Sequence, residues 1–216
     1  LEIIEAPDEY IGTDESGKGD YFGPLVIAGV YIGPGNQAHL EKLNILESKR
    51  ISDNRAISLS EEIKKLSHTS VVVIGPEKYN ELHDKMKNLN KLLAWGHARV
   101  IENILDLHDC RAAISDQFGD ESLIKNSLMK KGKNIKLQQT PRAERFLAVA
   151  AASVLARGAF LNYLNRLSSQ YGIKFLKGAS NLVDQTGRQF AEKFGHDKLK
   201  LVAKMHFKNT KRIEAP

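Results

Sequence analysis

One cysteine, Cys110, and one tryptophan, Trp95, are all that the 216 residues hold of either type. A lone cysteine excludes an internal disulfide and any multi-cysteine zinc site, and it suits a reducing compartment. Among the histidines, His83, His97, His108, His196 and His206 show no paired metal-ligand spacing and read as structural or surface residues. His206, beside Phe207, is expected to be buried and hydrogen-bonded, and Trp95 to be core. Long apolar runs are missing too: the longest, Phe146–Ala156, falls short of the roughly 20 residues a bilayer span needs. No signal-peptide pattern opens the chain, so a soluble, cytoplasmic protein without a membrane partner is expected. Repeats and low-complexity segments are absent. The first residue is Leu1 rather than Met, as in a piece of a longer protein.

What is present is charge of both signs with a basic excess. Thirty-two Lys and Arg against 26 Asp and Glu give a net charge of +6, which attracts polyanions. The length suits one α/β domain spanning residues 1–216, with a substantial core.

The patterning predicts strands at Tyr10–Glu15 and Leu25–Ile32, joined as a hairpin through Gly17-Lys18-Gly19, and a buried strand at Ser70–Gly75. Ser60–Leu66 carries a capping signature and helical spacing. Apolar residues recurring from Asn88 to Leu107 predict the longest amphipathic helix. Arg111–Asp116 reads as a strand ending on a carboxylate, followed by a turn and a short helix near Glu121–Lys130. Ile135–Gln139 reads as a further strand. A helix from Ala143 to Leu167, alanine-rich at its middle, is expected to approach the sheet closely. Tyr171–Ser180 reads as a loop, Thr186–Phe194 and Asp197–Ala203 as short helices, and Lys204–Thr210 as the lead into a basic tail. An initial hairpin followed by alternating strands and helices implies a mixed sheet.

The densest chemistry lies in Asp14-Glu15-Ser16-Gly17-Lys18-Gly19-Asp20. Gly12 to Lys18 fits the spacing of a phosphate loop, but the chemistry fails: Gly19 stands where a hydroxyl should hold magnesium, acids fill the loop, and a strand follows where a helix is required. Four acids, Asp14, Glu15, Asp116 and Glu144, are instead candidates for one site. Clustered carboxylates repel unless cations neutralise them, so the set implies hard divalent metal: Mg2+, with Mn2+ as a substitute. Two ions about 4 Å apart would activate water and stabilise the leaving oxygen of a phosphodiester. Adjacent strand residues face opposite ways, so Asp14 and Glu15 serve one site only if the strand ends or twists there, and the Gly17 turn supplies an end. Asp116 could instead cap a turn, and Glu144 could favour a helix N-terminus. Spacing alone does not bring the four together. A glycine turn lets backbone groups approach a 2′-hydroxyl, which marks RNA. Lys18 and Lys49 are the foremost phosphate-binding candidates, and Ser153 reads as packing.

The run from Asp14 through Gly23-Pro24 resembles the signature of the ribonuclease HIII branch of the type 2 ribonuclease H family. The likeness continues through Glu47-Ser48-Lys49, Ile114–Phe118, Ala143-Glu144, Ala150–Ser153, Lys177-Gly178 and His206–Thr210. It implies a ribonuclease H-like α/β fold, a mixed five-stranded sheet flanked by helices. It implies also an endonuclease that cuts the RNA strand of RNA/DNA hybrids, leaving 5′-phosphate and 3′-hydroxyl ends, with metal on Asp14, Glu15, Asp116 and Glu144 and substrate on Gly17, Lys18, Gly19 and Lys49. Two ions are expected with substrate bound, and no obligate protein partner. Ala179 stands where the HII branch has a junction-reading tyrosine, which favours HIII. HII-like cleavage at single embedded ribonucleotides and a non-catalytic hybrid-binding module are the alternatives. The additional N-terminal substrate-binding domain of full-length ribonuclease HIII finds no counterpart before Tyr10.

Overall fold

The computed structural model describes residues 5–46, 51–129 and 131–214. Five strands form one sheet: β1 Tyr10–Ser16, β2 Leu25–Ile32, β3 Thr69–Ile74, β4 Ala112–Asp116 and β5 Lys136–Thr140. Their order across the sheet is β3-β2-β1-β4-β5. The pairs β1–β2 and β2–β3 are antiparallel, while β1–β4 and β4–β5 are parallel, giving the expected mixed sheet. The helices are α1 Gln37–Glu41, α2 Asp53–Leu66, α3 Pro76–Met86, α4 Leu89–Leu105, α5 Glu121–Ser127, α6 Leu147–Tyr171, α7 Asn181–Phe194 and α8 Lys208–Glu214.

Central β1 is covered on both faces. Gly12 lets α6 lie almost against the strand, since a Cβ there would come within 2.2 Å of the Ala148 backbone. The fully buried Ala148, Ala151 and Ala152 make the helix side of that contact, as the alanine-rich stretch predicts. Ile11 and Ala113, on the other face, pack with Ala94, Ala98 and Ile101 of α4. This sandwich fixes where the ends of β1 and β4 stand relative to both helices.

Several boundaries differ from expectation. A short 3-10 turn occupies Ala143–Arg145, preceded by Arg142 at φ 56°, so α6 begins at Leu147 and runs on to a left-handed Gly172. At 25 residues α6 is long and apolar enough to cross a membrane, but 67% of its most apolar stretch is buried within the fold, as befits a core helix. The cap of α2 is Ser52, whose Oγ accepts from Arg55 N at 3.2 Å; Ser60 lies inside the helix. β3 is an edge strand with Val73 44% exposed, because a Val/Ile run reads alike at an edge or in a core. Helices α3 and α8, both mostly polar, went unread.

Candidate active site

Thr13 of β1 pairs in parallel with Ser115 of β4. Asp14 and Asp116 stand one step further along their strands, so both side chains lean to the same face, about one strand spacing of ~4.8 Å apart. That is the Gly12 face, covered by α6, and from it Ser153 hydrogen-bonds the Asp14 carboxylate. Asp14 Oδ1 also accepts from Glu15 N at 2.8 Å. Asp116 Oδ1 accepts from Ala143 N at 3.0 Å, which brings the turn carrying Glu144 against the end of β4. Burial, above all, and then the charges of Glu15 and Asp116 push the Asp14 acid up to about 7, against the pull of Ser153 and the Glu15 amide.

Glu15 faces the other way. Its Oε2 lies 3.2 Å from Nε2 of His97 in α4, and its Oε1 lies 3.4 Å from Lys18 Nζ. The carboxylate only accepts, so Nε2 carries a proton towards Glu15, while Nδ1 lies 2.8 Å from Thr13 Oγ1. Burial works to raise the Glu15 acid, but the His97 hydrogen bond and the charges of His97 and Lys18 outweigh it and hold the acid below its ordinary value. Phe118, two residues past Asp116, stacks on His97 with ring centroids 4.8 Å apart and lies 6.0 Å from Lys18 Nζ. The strand's end at Ser16 therefore leaves Glu15 in regular alternation with Asp14.

The turn beyond β1 combines a constrained and an open glycine. Gly17 sits at φ +86°, where a Cβ would fall 2.2 Å from Pro24 O, whereas a Cβ on Gly19 would meet no heavy atom within 4 Å. Nothing within the fold demands glycine at position 19. Lys49 lies outside the described residues.

The acids are a set of hard oxygen donors, and the crowding that raises Asp14 is what a divalent cation relieves. The residues therefore fit such an ion. Among the described residues no three His, Cys, Asp or Glu side chains are already arranged as a metal site, consistent with Glu15 being turned to His97 and Lys18.

The chain as a whole has counterparts among known proteins. The protein family described as Ribonuclease HII matches residues 11–210. The chain belongs to the ribonuclease HII family. Within that family it is 45% identical over 204 residues to "Ribonuclease HIII" of Protochlamydia amoebophila (strain UWE25), covering 94% of this chain and 68% of the relative. Two solved structures of the family's HIII type superpose well. Bst-RNase HIII in complex with Mn2+ has a TM-score of 0.88 at 30% identity, over 95% of this chain and 68% of that one. Aquifex aeolicus RNase H3 gives 0.76 at 31% identity, over 92% and 72%.

His97, Ser153, Phe118 and Thr13 escaped the sequence reading as parts of this site. Each is an ordinary core-type residue in its own element, and only the fold brings it to an acid. His206 is exposed and stacked on His83 at 4.2 Å rather than buried, and Trp95 is 36% exposed rather than core.

Proposed function

We infer that this chain is an endoribonuclease that hydrolyses the RNA strand of RNA/DNA hybrids, of the ribonuclease HIII kind. The observation that carries the reading is the pairing of Asp14 with Asp116 on one sheet face, with the Asp14 acid pushed up to about 7 by burial and neighbouring negative charge.

Asp14 and Asp116, with Glu144 from the adjoining turn, would hold the divalent cations, Mg2+ with Mn2+ as a substitute, two with substrate in place. Glu15, which faces away from the pair in the free chain, would join them from the end of β1 through the oxygen that Lys18 releases, its other oxygen staying on His97. Such ions supply an acidified water and positive charge at the leaving oxygen. The chain's own part is orientation: Ser153 and the Glu15 amide fix the Asp14 carboxylate, the Ala143 amide fixes Asp116, and His97 fixes Glu15. Lys18, half-exposed beside Glu15, would turn to a phosphate as the hybrid arrives. Gly17 and Gly19 would let the backbone reach the 2′-hydroxyl, with Lys49 a further phosphate contact. Hydrolysis with the 3′ oxygen as leaving group leaves a 5′-phosphate and a 3′-hydroxyl.

The test is cleavage of three labelled duplexes, an RNA/DNA hybrid, DNA with one ribonucleotide and plain DNA, each with Mg2+ and with Mn2+. Cutting of the hybrid and little of the single-ribonucleotide duplex is expected. Efficient junction cutting would point to HII-like specificity, and binding without cutting under either metal to a hybrid-binding module.

A further inference from the structure

Lys204 is completely buried, and its hydrogen bonds converge on one segment. Its Nζ donates to Asp20 O and to Gly23 O, each at 2.8 Å, and its backbone N–H donates to Tyr21 O at 2.9 Å. One residue thus satisfies three of the four carbonyls from Asp20 to Gly23. Gly23 N–H returns a bond to Val202 O at 2.9 Å. Gly178 grips the same segment from another side: its N–H donates to the Asp20 carboxylate at 2.6 Å, and its carbonyl accepts from Tyr21 N at 2.9 Å.

A buried ammonium is an expensive way to fill space. Burial pulls the Lys204 pKa down to about 7, with Asp20 opposing the shift. Methionine would fill much the same volume without that cost, but would leave the Asp20 and Gly23 carbonyls without their donor. The lysine is there for its N–H groups. What it secures is the base of the turn that carries Gly17-Lys18-Gly19, in which Gly17 is buried while Gly19 is exposed, with open space where a side chain would stand. A fixed base beside an open tip is how a backbone is held ready for a ligand that approaches closely.

We propose that Lys204 is a positioning residue, which anchors Asp20–Gly23 and so sets where the Gly17-Lys18-Gly19 tip meets the RNA strand. The proposal rests on the reading of that tip as the hybrid-contacting turn. Lys204 acts on substrate binding and not on the acids, because Asp14 and Asp116 have separate hydrogen bonds to Ser153, the Glu15 amide and the Ala143 amide.

Lys204→Met and Lys204→Arg test it, with three readouts. These are amide hydrogen exchange across residues 17–23 in the free protein, affinity for an uncleaved hybrid without divalent metal, and steady-state kinetics. In Lys204→Met, exchange in the turn should quicken about tenfold while α6 is unchanged, and hybrid affinity should fall about tenfold. KM should rise in step with that loss of affinity while kcat stays within about twofold of the wild type, as for lost uniform binding. Lys204→Arg, which keeps the donors, should recover most of each. Unchanged exchange in the turn overturns the proposal. So does a lowered melting temperature with normal hybrid affinity and KM, the mark of a merely structural lysine. Should Lys204→Met not fold, Lys204→Gln, whose shorter side chain cannot reach both carbonyls, carries the test, with quickened exchange and a raised KM expected and wild-type values for both overturning it. A wild type that ignores the hybrid while Lys204→Met still loosens the turn would remove the reading of the tip and leave the anchor standing.

Discussion

The imidazole of His97, fully buried in α4, lies 3.2 Å from the Glu15 carboxylate through Nε2 and 2.8 Å from Thr13 Oγ1 through Nδ1. One side chain thus ties two alternate residues of β1 on the face opposite Asp14. A carboxylate held by a partner of fixed orientation loses less freedom on gaining a cation, and such partners typically govern metal affinity as strongly as they govern structure. His97→Ala should therefore weaken Mn2+ binding about ten- to hundredfold. His97→Gln, which offers one amide donor, should weaken it less. Calorimetric titration of the folded variants with Mn2+ checks this, and an unaltered affinity in His97→Ala would leave the histidine a packing residue.

The acids themselves give the bluntest prediction. Asp14→Asn and Asp116→Asn should each lower kcat by more than ~10³-fold while leaving the hybrid bound, since they remove charge where the reaction needs it. Glu144→Gln should follow in the same direction if the turn at Ala143–Arg145 delivers its carboxylate to the pair. Full activity in Glu144→Gln would reduce the working set to the three acids on β1 and β4. Single-turnover cleavage with saturating enzyme separates these losses from weakened binding.

Protons and metal should compete for Asp14. Its folded acid stands at about 7 against an ordinary 3.8, raised chiefly by burial and next by Glu15. Between those values the folded chain holds a proton that the unfolded chain has released, so stability from this group is fully present below about pH 4 and is lost as pH rises through 7. The effect is on the order of a few kcal/mol. In EDTA the melting temperature should fall between pH 5 and pH 8 by more in the wild type than in Asp14→Asn. Mn2+ should raise it more at pH 8 than at pH 5, and cleavage should decline below neutrality. Identical melting profiles for wild type and Asp14→Asn would contradict the shift.

The strands carrying the acids were legible because they alternate or run apolar between glycine turns: β1, β2, β4 and β5 lie within a residue or two of their expected bounds. The common face of Asp14 and Asp116 was not legible, since it depends on the parallel register of strands separated by about a hundred residues of chain. Nor were His97 and Lys204, whose partners lie 82 and 184 residues away. A buried histidine inside an apolar helix and a lysine leading into a basic C-terminal tail look locally like core and surface. Helix α3 was missed for a related reason: only Pro76 and Tyr79 are buried in it, too few to mark a periodic stripe.

Two glycines on either side of Lys18, Gly17 and Gly19, separate what the fold needs from what the substrate needs. Gly17→Ala forces a side chain onto φ +86° and within 2.2 Å of Pro24 O, so it should destabilise the protein by ~1–3 kcal/mol. Gly19→Ala meets nothing in the free protein and should change stability by less than ~0.5 kcal/mol. Yet the added methyl would stand where a hybrid's ribose is expected to approach. Its KM for the hybrid should rise severalfold, with a matching loss of affinity for uncleaved hybrid. Denaturant melts and hybrid titrations on the two variants check both halves. Should Gly19→Ala bind the hybrid as the wild type does, the open tip is not the contact, and substrate recognition has to be sought in the basic side chains around it.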